Sequence, residues 1–134
     1  MSGSYIKHAN RVVRLISKSG YLGHTGPLFQ EYKILKLSDI NIYNTLLFVY
    51  KHKSNELPAI CNQYLLINRS YTASSRCLRT VNDFSIPFAR TIIRARSVSV
   101  RGPKLWFGLP DHLHKISSLP MFKSHLTNYL LDQY

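Results

Sequence analysis

The chain has 134 residues, which is enough for one domain with a hydrophobic core of its own. Its composition excludes intrinsic disorder, because 45% of the residues are hydrophobic and nine Tyr and six Phe are among them. Eighteen Lys and Arg stand against six Asp and Glu, and the resulting formal net charge of +12 predicts a polyanionic partner, most often nucleic acid. Two Cys are too few for a disulfide framework, and the longest apolar run, residues 46–50, is far too short to span a membrane.

The first predicted element is an amphipathic helix over residues 5–18. Apolar residues recur in it at i, i+3, i+7 and i+10, which is helical spacing: Ile6, Ala9, Val13 and Ile16. Four cations lie within an arc of about 60° on the opposite side and form a basic stripe: Lys7, Arg11, Arg14 and Lys18. This spacing suits a phosphate backbone, and a merely solvated face remains the alternative.

Two further helices are predicted before residue 54. Pro27 suits the first turn of a short helix over residues 28–32, capped by Thr25 or Gly26. Ser38 or Asp39 can cap a central helix that ends near residue 53. Its apolar face comprises Ile40, Tyr43, Leu46, Leu47 and Tyr50. Its narrow polar stripe comprises Asn41, Asn44, Thr45 and His52.

Residues 57–100 are predicted as a short helix, a long loop and a strand region. The helix begins at Leu57-Pro58, and the loop over residues 68–83 carries Arg69, Arg76 and Arg79. Residues 84–88 and 91–100 have the composition of strands, so we expect a small antiparallel β element around residues 84–101. On such a strand three cations of equal parity project from one face: Arg90, Arg94 and Arg96.

A turn and a core anchor follow the predicted strand. Gly102-Pro103 is a turn signal that should end the strand, and Trp106 and Leu109 are spaced to enter a common core. Ser117 or Ser118 can cap a final helix that carries Phe122. The predicted structural anchors are Gly102, Pro103, Trp106, Leu109 and Phe122. The fold class is therefore α+β and mostly helical, with four to five helices, in a single domain or domain fragment over residues 1–134.

The chemistry of the sequence is cationic and not catalytic. The six acids are scattered, and Cys61, Cys77 and the later His112 and His114 lack the spacing of a structural zinc site. Phosphate-binding Gly-rich loops and nucleophile elbows are absent from the sequence as well. We expect no enzyme activity from the chain by itself, no catalytic residue, no cofactor, no metal, no small-molecule substrate and no membrane partner.

Eight basic residues face one acid between residues 69 and 104, and four aromatics are interleaved with them: Tyr71, Phe84, Phe88 and Trp106. Arg contacts phosphate and aromatic rings stack on bases, which is typical of proteins that bind single-stranded nucleic acid, although a basic surface over core aromatics gives the same composition. The predicted binding residues are Lys7, Arg11, Arg14, Lys18, Arg69, Arg76, Arg79, Arg90, Arg94, Arg96, Arg101 and Lys104. We expect the helix stripe and the strand cations to converge on one groove.

A series of short blocks resembles a known family in its known order. The blocks are 10–16, 24–29, 34–40, 48–51, 57–58, 90–91, 97–98, 102–106, 109–110, 122–123 and 129–131. Together they are similar to the C-terminal region, after the polymerase core, of reverse transcriptases encoded by jockey-like LINE (non-LTR) retrotransposons. Two blocks depart from the family: Arg76-Cys77-Leu78-Arg79 stands where Asn-Thr-Arg is common, and Trp106-Phe107 replaces the frequent Trp-Asn.

The resemblance implies a fragment of an RNA-directed DNA polymerase whose catalytic aspartates lie upstream. The chain contains no adjacent Asp pair, so polymerase activity is not carried over to it. What is implied is non-specific RNA or DNA binding, contact with the upstream polymerase domain, and an intracellular location, nuclear or cytoplasmic. Two alternatives stay open: a structural module that docks on the polymerase core, and a relic reading frame with no independent function.

Overall fold

A computed structural model describes residues 2–18, 20, 24–67 and 84–134. Seven α-helices lie in these ranges: α1 (Ser2–Ile16), α2 (Gly26–Glu31), α3 (Leu37–Lys53), α4 (Ile92–Ala95), α5 (Val98–Phe107), α6 (Asp111–His114) and α7 (Leu119–Leu131). A 3₁₀-helix spans Ala59–Gln63, and strands β1 (Leu66–Ile67) and β2 (Phe84–Ser85) pair antiparallel. The prediction of a mostly helical α+β fold is confirmed. Two of the seven helices, α4 and α6, are only four residues long.

The described residues divide into two compact units. The first unit consists of those within Met1–Asn44 and Lys115–Tyr134, and the second of those within Thr45–His114. Helix α3 contributes its first half to the first unit and its second half to the second.

In the first unit, α2 is joined to α7 and to the residues around it. Gln30 Nε2 donates a hydrogen bond to the Leu131 carbonyl at 2.9 Å, and the Phe29 ring meets the Tyr134 ring edge-on at 6.2 Å. The Lys36 backbone N–H donates to the Tyr134 hydroxyl at 2.7 Å, while Lys36 Nζ lies 3.9 Å from the centre of the same ring. Burial, opposed by this hydrogen bond, raises the pKa of Tyr134 to about 12.

The core of the first unit is apolar and follows the periodicity of α7. Its buried side chains are Val13, Phe29, Phe122, Leu126, Leu130 and Leu131. Ser118 occupies the N-cap position of α7, as predicted, and the burial of the predicted anchor Phe122 is confirmed. Helix α2 has Pro27 in its first turn and Thr25 at its N-cap position, as predicted, although it spans Gly26–Glu31 instead of residues 28–32.

The N-terminal helix is confirmed, but its apolar side differs from the prediction. Only Val13 is buried, Ala9 is half-buried, and Ile6 and Ile16 are exposed. The 3.6-residue period specifies which side of a helix is apolar, whereas the share of that side that becomes covered depends on the elements packed against it.

The core of the second unit is built around Trp106. This side chain is 1% exposed, and its indole meets the Phe84 ring edge-on at 6.3 Å and the His114 ring at 4.8 Å. Lys53 Nζ lies 5.4 Å from the centre of the indole ring. Pro103 and Leu109 are buried too, so the predicted entry of Trp106 and Leu109 into a common core is confirmed.

The prediction of a strand over residues 91–100 is wrong, because these residues form α4 and the start of α5. Thr91 caps α4 by accepting a hydrogen bond from the Arg94 backbone N–H at 3.2 Å, and Ser97 occupies the N-cap position of α5. The β-branched residues that suggested a strand thus follow the N-cap residues Thr91 and Ser97. The helix-capping signal outweighs the strand propensity of these β-branched residues.

The prediction of a turn at Gly102-Pro103 is also wrong. Both residues lie inside α5 and are buried. Proline removes one backbone hydrogen bond from the helix, and the burial of α5 side chains such as Val100 and Trp106 offsets that loss. Glycine serves close packing here, because a Cβ at position 102 would lie 2.9 Å from Cγ2 of Val49.

The buried side of α3 also differs from the prediction. Thr45 and His52, assigned to the polar stripe, are buried together with Leu46, Val49 and Tyr50. Ile40, assigned to the apolar face, is exposed. Packing against α5 accounts for the burial of Thr45, since Val49 and Thr45 lie one helical turn apart and both come close to Gly102.

Candidate nucleic-acid interface

The basic stripe of α1 lies largely on the surface of the protein. Lys7 and Arg11 are exposed, Arg14 is half-buried, and Lys18 follows the helix as an exposed residue with φ of 52°. Over the seven residue steps from Lys7 to Arg14 a helix rises about 10 Å, a distance over which one nucleic-acid strand places about three phosphates. The stripe is therefore long enough for several phosphate contacts.

An open groove of about 440 Å³ lies along this stripe. Its lining includes Lys7, His8, Asn10, Arg11 and Arg14. His8 Nδ1 is 2.7 Å from the Ser4 carbonyl oxygen, so the ring is held against the preceding turn of α1. Sequence reasoning missed His8 and Asn10, although both flank the basic arc on the helical wheel. Three cations and two further polar side chains give this groove the chemistry of a site for an anionic chain.

The second set of cations lies on a short exposed segment that is not a strand. Arg90 precedes α4, Arg94 lies within it, and Arg96 is its C-cap residue. All three are exposed, but the predicted alternation of strand faces does not apply to them. Arg101 is half-buried in α5, and Lys104 is exposed on the same helix.

Three of the predicted binding residues fall outside the described residues: Arg69, Arg76 and Arg79. The convergence of the helix stripe with the Arg90, Arg94 and Arg96 set stays a prediction, since the two sets belong to different units.

The interleaved aromatics have different environments. Phe84 and Trp106 are both 1% exposed and pack against each other, so neither ring is accessible for stacking on bases. Phe88 is 82% exposed. Tyr71 lies outside the described residues. Among the described aromatics of this stretch, Phe88 alone therefore offers an accessible ring face.

One buried imidazole lies in the second unit. His52 is 3% exposed, its ring centre is 6.0 Å from that of Phe84, and neither ring nitrogen has a hydrogen-bond partner among the described residues. Burial lowers the pKa of His52, because the cationic form loses its hydration in this core.

Two other kinds of site are absent from the described ranges. No three His, Cys, Asp or Glu residues are grouped so that they could hold a metal ion. Nor does any described helix have both the length and the apolar character that crossing a membrane requires.

The chain matches no protein-family model, no curated protein and no solved structure.

Proposed function

We propose that this chain binds RNA or DNA without sequence specificity, through the basic stripe of α1, as a non-catalytic fragment of a retrotransposon reverse transcriptase. The reverse-transcriptase part of the proposal rests on the resemblance of the sequence blocks. The binding part rests on one observation in particular: the open groove of α1 is lined by Lys7, Arg11 and Arg14.

The distribution of acids supports the same proposal. No Asp or Glu occurs between Ser2 and Lys18, and none occurs between Phe84 and Pro110. Both cationic segments therefore lack acids of their own that could neutralise them. When Lys and Arg side chains of a protein contact a nucleic acid, condensed counterions are released, and this release contributes favourably to the free energy of binding.

The salt dependence of binding tests this function. The full chain is titrated with a single-stranded RNA and with a DNA duplex in filter binding at several salt concentrations. Phosphate contacts require log K to fall linearly with log salt, with a slope of about −0.7 per contact for a single strand and about −0.9 for a duplex. Binding that is undetectable, or that does not vary with salt, contradicts the proposal.

A second candidate function is docking on a protein, such as the polymerase domain that the resemblance places upstream. The observation that favours it is the exposed apolar side of α1, which comprises Tyr5, Val12, Leu15 and Ile16. Exposed apolar patches of this kind mark interaction surfaces. A flat salt dependence in the same titration leaves this candidate as the better account.

A further inference from the structure

The segment between β2 and α4 holds an aromatic ring in solvent beside several cations. Phe88 is 82% exposed, and Ile93, five residues later, is 85% exposed. A single exposed apolar side chain needs no explanation. Phe88, however, is followed within eight residues by Arg90, Arg94 and Arg96, all exposed.

Local contacts restrain this segment at both ends. On one side Phe84 is buried in the second unit, where its ring packs against Trp106. On the other side Thr91 caps α4 through the Arg94 backbone N–H. Pro87 also restricts its own φ and that of the residue before it. The Phe88 ring is thus presented on a short, restrained stretch of chain, which lowers the entropy lost when a ligand covers it.

The chemistry of this segment fits a single strand of nucleic acid. Guanidinium groups bind phosphate, and an exposed ring can stack on a base. In a duplex the base faces are covered by their neighbours, so a protruding ring reaches them only by unstacking a base step, a free-energy cost that an unpaired strand largely avoids. No acid between Phe84 and Pro110 opposes the approach of the phosphates.

We propose that Phe88 is a base-stacking platform for single-stranded RNA or DNA, with Arg90, Arg94 and Arg96 binding the adjacent phosphates. This inference rests on the proposed function and adds to it a preference for unpaired strands. It also assigns a role to an aromatic residue whose exposure the sequence alone could not show.

The test compares three single variants of the full chain, Phe88→Ala, Phe88→Trp and Ile93→Ala, with the parent. Affinities for a twelve-nucleotide single strand and for a duplex are measured by fluorescence anisotropy over a range of salt. Phe88→Ala should weaken single-strand binding about 10-fold, the usual effect of losing one stacked base. Its salt slope and its duplex affinity should equal those of the parent, because no cation is removed.

Phe88→Trp provides a direct readout of stacking. The tryptophan should keep the parental single-strand affinity, and its emission should be quenched when the oligonucleotide binds. The natural Trp106 is buried and contributes a constant background. Ile93→Ala is the matched apolar control and should bind like the parent.

The outcomes separate failure of the inference from failure of the proposed function. A parent that binds with a steep salt slope, while Phe88→Ala binds equally well, overturns the stacking platform alone. Equal losses in Phe88→Ala and Ile93→Ala overturn it too, since they indicate general apolar contact. The stacking platform is also overturned if the parent self-associates or binds a protein and both Phe88→Ala and Ile93→Ala abolish that association. A parent that binds no nucleic acid overturns both proposals.

Discussion

The backbone of α5 at Gly102 lies against the side chain of Val49 on α3. A Cβ atom built on Gly102 would be 2.9 Å from Cγ2 of Val49, and Leu65 and Thr45 lie just beyond. Val49 is fully buried, so it has little room to move away. Glycine at this position lets α5 and the second half of α3 approach more closely than any other residue would allow.

The first prediction is that Gly102→Ala destabilises the protein. In an open helix interior the same change stabilises by about 1 kcal/mol. Here the added methyl group overpacks the contact with Val49, which typically costs about 1–3 kcal/mol. Urea unfolding measures the difference. Gly108→Ala is the control, because its new Cβ would make only ordinary contacts, the nearest at 3.5 Å. A stabilised Gly102→Ala variant would show that α5 and α3 are not in close contact.

The second prediction is that Trp106→Ala lowers the free energy of unfolding by about 3–5 kcal/mol, the usual effect of emptying a large buried aromatic site. Phe84 and His114 lose their edge-on contacts in this variant. Phe88→Ala removes an aromatic ring that is exposed, and its stability should match that of the parent. If Trp106→Ala unfolds at the parental midpoint, Trp106 does not anchor the core.

The third prediction concerns the pH dependence of stability. Burial lowers the pKa of His52 in the folded state, so below about pH 6.5 the unfolded chain binds a proton that the folded chain does not. Stability should therefore decrease as the pH falls through the ordinary histidine range, and the contribution is fully present above that range. Urea midpoints measured between pH 7.5 and 5.5 should show this decrease.

His52→Leu replaces the titrating imidazole beside Phe84 with an apolar side chain, so the urea midpoints of this variant should depend less on pH. His112→Gln, on the exposed side of α6, serves as the matched control and should keep the parental dependence. A His52→Leu variant with the parental pH profile would mean that His52 is not the group that couples protonation to folding.

The sequence predicted those elements whose signals are local. Periodicity located α1 and α7, and Pro27 with Thr25 located the start of α2. Local signals failed where packing against residues far away in the sequence determined the structure. Gly102-Pro103 has the composition of a turn, yet it is helical because α5 packs against Val49.

The candidate site shows the same division. The basic stripe follows from the 3.6-residue period of α1, and the structure places two of its exposed members, Lys7 and Arg11, along one groove. The exposure of Phe88 and the burial of Phe84 could not be distinguished in advance, because both residues lie in one five-residue segment, 84–88, with the composition of a strand. Solvent accessibility of an aromatic residue depends on tertiary packing, which periodicity does not encode.

The fourth prediction addresses the second cationic segment. If one nucleic acid contacts both units, Arg90→Glu with Arg94→Glu should make the salt slope less steep, and combining this pair with a charge reversal on α1 should add the two losses. Filter binding of the separate and combined variants measures this. A combined variant no weaker than the α1 variant alone would mean that only α1 meets the nucleic acid.

The most direct measurement is the salt slope of the α1 variant Lys7→Glu with Arg11→Glu. Both side chains are exposed on the groove, so folding should be unaffected and two phosphate contacts should be lost. The slope of log K against log salt should become less steep by about one to two units, for all nucleic-acid sequences alike. Lys115→Glu with Lys123→Glu makes the same change of net charge at exposed sites off the stripe, and it should retain the parental slope. If the α1 variant keeps the parental slope, or if the control loses as much, the basic stripe of α1 is not the binding surface.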